Sequence, residues 1–239
     1  MRKNYYYIAP IELWRGFMEE PDKILNDVLA FETAAYSTKE QAEEALGVSY
    51  GSWEETIKRG VELRGKKSKY CGLCFDIPRI LFWDYLKDTK TEWDNLLLLA
   101  LLAHKTIGGR HGDIRSTNSE FMFARMAGYR KPAFLPKPQM LKSGEVKYGE
   151  GAKLHRYMKD KRTMSRYGAM LRLDLMNRFN NFHCYSQKGK RGYVFTFGSE
   201  HPRETYIKMM IATMGARGNA AKRKALKETI KAIQHKVGV

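Results

Sequence analysis

Cysteine is scarce and its number is odd: three residues, Cys71, Cys74 and Cys184. That excludes a scaffold held by disulfides and points to a reducing compartment. Long apolar runs are missing too. The longest, Leu96–Ala103, falls far short of the roughly 20 residues a membrane-spanning helix needs, so no membrane partner is expected. The stretch Met1–Pro10 is aromatic and has no apolar segment ahead of a small-residue cleavage site, which predicts no secretory leader. Dinucleotide glycine fingerprints and serine-nucleophile motifs are absent. Gly60 to Lys67 imitates a phosphate loop only in part, because Lys67 stands where Ser or Thr must follow Lys66. Neither a repeat of fixed period nor a low-complexity tract is present, and no cofactor is implied.

Acid is what the second part of the chain lacks. Residues 1–100 hold 14 Lys+Arg against 17 Asp+Glu, a net of −3, whereas residues 101–239 hold 29 against 9, a net of +20; together they make the +17 of the 239-residue chain. So large an excess repels itself in a compact state, and its segregation predicts a polyanionic partner met by the second part. Apolar residues at 43% and charged residues at 29% suffice for a globular core. The expected location is cytoplasmic, associated with the nucleoid.

Periodicity predicts a mainly helical chain with a small β-hairpin. Tyr5–Tyr7 is a strand or a docking arm, and Ile11–Met18 a short helix. Asp22–Tyr36 follows, with apolar residues at helical spacing. Ser37–Leu46 opens on a capping-box pattern of Ser37 and Glu40 and stops at Gly47. Ser52–Leu63 and Pro78–Lys87 read as further helices. Thr91–Lys105, capped by Thr91, is apolar almost all round and is expected to be central and buried. Arg110–Arg115 is a polar connection, Ser119–Ala127 a helix stopped by Gly128, and Arg130–Gly151, rich in Pro and Gly, a loop or extended excursion. Helical patterning returns at Lys153–Lys159 and Ser165–Phe179. Phe182–Tyr185 and Tyr193–Phe197 alternate around a Gly-containing turn and predict the hairpin. Two helices close the sequence, Glu204–Met214 and the basic Ala220–Lys236.

From Thr91 onward the order is buried helix, second helix, insertion, helix, hairpin with a basic tip. Phe123-Ala124-Arg125-Met126-Ala127-Gly128 resembles the second helix of a helix-turn-helix, where a small residue permits close approach and glycine starts the turn. Ser165–Phe179 sits where a recognition helix would be, and Lys188-Gly189-Lys190-Arg191 where a wing would touch phosphates. Over roughly residues 91–198 the chain thus resembles winged helix-turn-helix DNA-binding proteins, among them replication initiators. The resemblance implies a winged-helix, nucleic-acid-binding region over residues 91–239 and a helical, near-neutral region over residues 1–90 for assembly or partner binding, with room for a homodimer through the latter.

A helix fits the major groove, and hairpin cations can straddle the adjacent backbone. The candidate contacts to double-stranded DNA are Ser165, Arg166 and Arg172, the last two read as sharing one face. Arg156, Lys159, Lys161 and Arg162 belong to an alternative groove helix or its end. Lys188, Lys190 and Arg191 stand at the hairpin tip. Transcriptional regulation or replication initiation on a chromosome or mobile element is the expected role. Two other readings stay open. Tyr and Phe among cations would suit an RNA-binding or ribonucleoprotein component. His104, His111, Asp113 and Glu120 would suit a metal-dependent DNA-processing enzyme, although their spacing matches no ligand pattern. Cys71 and Cys74 have the spacing of half a zinc site without a second pair, and read better as small buried residues. No metal and no catalytic residue is assigned.

Overall fold

The computed structural model describes residues 5–66, 69–108, 114–135, 139–140, 146–147, 152–186 and 192–198. It is mainly helical, with small antiparallel sheets. The chain forms two compact units, residues 1–106 with 119–171, and residues 107–118 with 172–239. Each unit is assembled from separate stretches of chain. The predicted helices Glu204–Met214 and Ala220–Lys236 lie outside the described residues.

The first unit is built on a two-stranded sheet. Strand β1 (Tyr6–Pro10) pairs antiparallel with β2 (Cys74–Pro78), in a register that sets Tyr7 opposite Ile77 and Ala9 opposite Phe75. All four of these side chains are fully buried, while Tyr6, Ile8, Cys74 and Asp76 on the other face are exposed. Alternation of this kind is the period-2 consequence of the pleat. The tyrosine segment is therefore a strand. Its Tyr7 hydroxyl donates to the Leu46 carbonyl at 2.9 Å, and burial pushes that phenol up to about 12. Cys74, expected to be buried, lies on the solvent face of β2.

The expected helix over Ile11–Met18 is only a 3-10 turn, Ile11–Trp14, because the backbone turns extended at Arg15, ψ 134°, and Gly16 follows at φ 80°. Helix α1 (Pro21–Thr33) starts on Pro21, whose missing N–H is no loss at a first-turn position. Helix α2 (Lys39–Leu46) is capped one residue later than Ser37. The Thr38 side chain accepts from Gln41 N at 3.3 Å, and Gly47 closes the helix at φ 65°. Thr38→Ala should therefore cost about 1 kcal/mol in a denaturant titration, and Ser37→Ala should leave the midpoint unchanged; the reverse pattern would return the cap to Ser37.

Helix α3 (Trp53–Gly65) packs on α1, with Gly60 buried at the crossing. Helix α4 (Arg79–Lys87) follows directly on β2, and Pro78 closes the strand instead of opening the helix. Helix α5 (Glu92–Ile107) opens with reciprocal caps: Asp94 N donates to Thr91 Oγ1, and Thr91 N to Asp94 Oδ2, both at 3.2 Å. Every residue from Asn95 to His104 is buried, as an all-round apolar sequence requires. Helix α6 (Ser119–Met126) ends at Gly128, φ 75°, with Tyr129 N bonded to the Ala124 carbonyl at 2.9 Å. Arg15 fastens this turn, donating to Gly128 O at 3.0 Å with its guanidinium 4.2 Å from the centre of the Tyr129 ring. In the Arg130–Gly151 excursion the described parts are a 3-10 turn, Pro132–Phe134, and a ladder of β4 (Gln139–Met140) with β5 (Val146–Lys147).

The second unit contains a three-stranded antiparallel sheet. Its strands are β3 (Arg115–Thr117), β6 (Phe182–Tyr185) and β7 (Tyr193–Phe197), in the order β3-β7-β6. The hairpin strands coincide with the alternating runs; β3, read from the sequence as part of a polar connection, completes the sheet. Phe182 packs against Phe195 and Phe197, with ring centres 6.2 and 5.2 Å away. Burial extends to both faces, since His183 and Thr196 are covered as well as Cys184 and Phe195.

Candidate nucleic-acid interface

Helix α8 (Lys161–Arg178) carries most of the candidate residues. It begins four positions earlier than periodicity suggested, because Asp160 caps it. Asp160 accepts from Thr163 N and from the Thr163 hydroxyl, both at 2.8 Å. These bonds, led by the backbone one, hold the Asp160 carboxyl below its ordinary value. The preceding segment is broken: α7 (Ala152–His155) is a single turn followed by a 3-10 turn, Arg156–Met158. Such a segment offers no continuous helix to fill a groove, which weighs against Lys153–Lys161 in that role.

One stripe of α8 faces solvent. Arg162, Ser165, Arg166, Ala169, Met170, Leu173 and Asn177 are all exposed, and they recur at the spacing of a single helical face. Gly168, Leu171, Arg172 and Leu175 are buried. Its leucines divide between the faces: Leu171 and Leu175 turn inward and Leu173 outward. Arg172 corrects an expectation. It does not share a face with Arg166, because six positions at 3.6 residues per turn leave the two about 120° apart. Its guanidinium lies 3.9 Å from the centre of the Tyr193 ring, with only 9% of the residue exposed. It also opposes the rise that burial imposes on the Cys184 thiol, which still reaches about 12, and on the Tyr193 hydroxyl. Arg172 thus belongs to the core of the sheet unit.

The remaining cations divide by how committed they are. Arg156 donates to Glu92 Oε2 at 2.8 Å, and the Tyr157 hydroxyl donates to the other oxygen of the same carboxylate. Burial, then Glu92, push the Tyr157 hydroxyl up to about 12. Lys161 stands 3.5 Å from Glu120 with most of its side chain in water, an arrangement that contributes little and is easily exchanged for a phosphate. Lys159 and Arg162 are exposed and pair with no acid among the described residues. Arg166 lies 6.0 Å from the centre of the Tyr167 ring, which in turn meets Tyr157 edge-on at 4.8 Å. Arg156, Tyr157, Arg166 and Tyr167 thus form an interleaved run of cations and rings, a composition that attracts phosphates and offers faces for stacking.

Lys188, Lys190 and Arg191 lie outside the described residues. Gly192, where the chain enters β7, has φ 87°, and a side chain there would approach Thr117 O to 2.5 Å. His104 is fully buried, and its Nδ1 donates to Ala100 O at 2.7 Å; His111 and Asp113 lie outside the described residues. Cys71 is half buried, and its backbone N donates to Glu12 Oε1 at 2.8 Å. Among the described residues no group of three or more His, Cys, Asp or Glu is placed to hold a metal ion, and no helix is long and apolar enough to cross a membrane.

The sequence did not single out Met170, Leu173 and Asn177 as surface residues. The signal that would have found them is the phase of α8, fixed by the inward positions Gly168, Leu171 and Leu175. No protein-family model, curated protein or solved structure matches this chain.

Proposed function

We propose that the chain binds duplex DNA as a winged-helix protein would, with α8 as the helix presented to the major groove and the β6–β7 hairpin as the wing. One observation carries the reading. With the intervening β4, β5 and the single-turn α7 set aside, α5, β3, α6, α8, β6 and β7 follow in the order helix, strand, helix, helix, strand, strand, and the short first strand pairs with the last, giving the sheet order β3-β7-β6. The Arg130–Gly151 excursion is an insertion before the third helix. The acid-free outward stripe of α8, the +20 net charge of residues 101–239 and the cations Lys188, Lys190 and Arg191 between β6 and β7 support the same reading. Arg172 is excluded from the proposed surface and acts on the sheet. Regulation of transcription or initiation of replication is the role we assign, and the near-neutral residues 1–90 are left for assembly.

The test is binding of the full chain to labelled duplex DNA and to single-stranded RNA across a salt series. It is run beside a variant with Lys188, Lys190 and Arg191 changed to Ala. The proposal expects duplex to be preferred. The variant should bind more weakly, with the slope of log K against log salt shallower by up to about 2.7, three phosphates at 0.9 each. Preference for RNA, or a variant that binds duplex unchanged, would overturn it.

A further inference from the structure

We infer that α8 reads thymine 5-methyl groups, so that the preferred duplex carries thymines over adjacent pairs where Ala169, Met170 and Leu173 meet it. The inference rests on the DNA-binding reading above and adds the base that is recognised. Met170 is 43% exposed and Leu173 59%, and with Ala169 they make an uninterrupted apolar segment on the outward stripe. Single exposed apolar side chains are ordinary, but three that adjoin on one stripe make a small apolar patch that a partner can cover.

What covers it is constrained by its neighbours. Arg166 and Arg162 stand on the same stripe, one and two turns toward the N-terminus, with Lys159 and Lys161 just beyond; the stripe itself carries no acid, and Asp160 between those lysines is engaged as the helix cap. The occupant must therefore be polyanionic at one end and offer apolar points at the other. In the major groove only thymine presents an apolar group; adenine, guanine and cytosine present donors and acceptors alone. Ala169, Met170 and Leu173 have no side-chain donor, and the thioether of Met170 is only a weak acceptor, so contact with a methyl is the base feature they are best suited to distinguish. Asn177, on the same stripe, has the amide that pairs bidentately with adenine. From Arg166 to Leu173 the helix advances about 10 Å, the length of about three base pairs at 3.4 Å each. Recognition should thus concentrate in about three successive pairs.

The experiment uses the full chain and a pool of duplexes with randomised centres, from which bound sequences are selected at low salt and read. The best duplex is then remade with deoxyuridine for thymidine, which removes the methyl and keeps every hydrogen-bonding group. Selected sequences should hold thymine at two or more of three adjacent positions, and deoxyuridine should weaken binding about tenfold, within what two buried methyl groups can supply. A variant carrying Met170→Ser and Leu173→Ser should melt like the parent, keep its salt slope, and bind both duplexes equally at the weaker level. Equal affinity of the parent for the thymidine and deoxyuridine duplexes, or selected sequences without clustered thymine, would overturn the inference while leaving DNA binding intact. If no duplex is retained even at low salt, the DNA-binding reading fails and this inference falls with it; the apolar segment would then belong to a protein partner.

Discussion

Replacing Gly60 by alanine should destabilise the first unit by about 3 kcal/mol, lowering its melting temperature by roughly 6–12 °C. Intrinsic propensity argues the other way, since alanine in a helix interior is favoured over glycine by up to about 1 kcal/mol. The packing decides. A Cβ at position 60 would stand 2.1 Å from the Ala30 carbonyl oxygen, 2.9 Å from its carbon and 2.7 Å from the Ala34 methyl. Those atoms are mainly the backbone of α1, which cannot rotate away as a flexible side chain does. Two helices would have to separate, and α1 also carries Leu25 and Val28 in the core. Gly65→Ala supplies the control, for no atom lies within 4 Å of a Cβ there. It should be neutral or slightly stabilising. If thermal melts show Gly60→Ala equal to the control, the close crossing of α1 and α3 is not present in solution.

Glu32→Gln should stabilise the protein at pH 8 by on the order of 3 kcal/mol and change little at pH 4. Glu32 is 7% exposed, and its Oε1 accepts from Ile8 N at 3.1 Å. Burial pushes the carboxyl from its ordinary 4.5 up to about 7; the Ile8 hydrogen bond and Arg64 oppose that rise and Asp76 adds to it. Below pH 4.5 the group is neutral whether the chain is folded or not, and it costs nothing. Between 4.5 and 7 the unfolded chain ionises first, so stability falls as pH rises, and above 7 the full cost of the buried charge is present. Glutamine keeps the carbonyl that accepts from Ile8 and carries no charge. Denaturant titrations of both proteins at the two pH values measure the difference. A wild type and a variant that respond identically to pH would show that the carboxylate is solvated in the folded state.

How much of this was legible in the sequence depends on the range of the interactions involved. Helix α5 could be read because its signal is local: apolar residues on every side demand burial on every side. The β6–β7 pair was legible for the same reason, with two alternating runs either side of one turn. Strand β1 was ambiguous because its partner β2 lies some 60 residues further on, and only the register shows that Tyr7 and Ala9 face inward. Strand β3, Arg-Ser-Thr, has no apolar residue to betray it; it exists through its pairing with β7. Within the candidate interface, residue types and chain position pointed to α8, but not to which of its sides is outward. Arg172 was misassigned because a cation on a basic helix looks like a surface residue until Tyr193, 21 positions later, is seen beneath it.

The central place of β7 bears on how the chain is made. Both neighbours of that strand come earlier in the sequence, and β3 is already present some 75 residues before it. During synthesis β3 and β6 therefore emerge without a partner, and the sheet cannot close until Tyr193–Phe197 has cleared the ribosome. Closing so wide a loop is slow compared with local helix formation. The nascent second unit must wait with Phe182 uncovered, an interval in which chaperone capture or aberrant strand pairing competes with folding. A chain released just before Tyr193 would thus carry α1 to α8 and both outer strands of that sheet with no strand to join them.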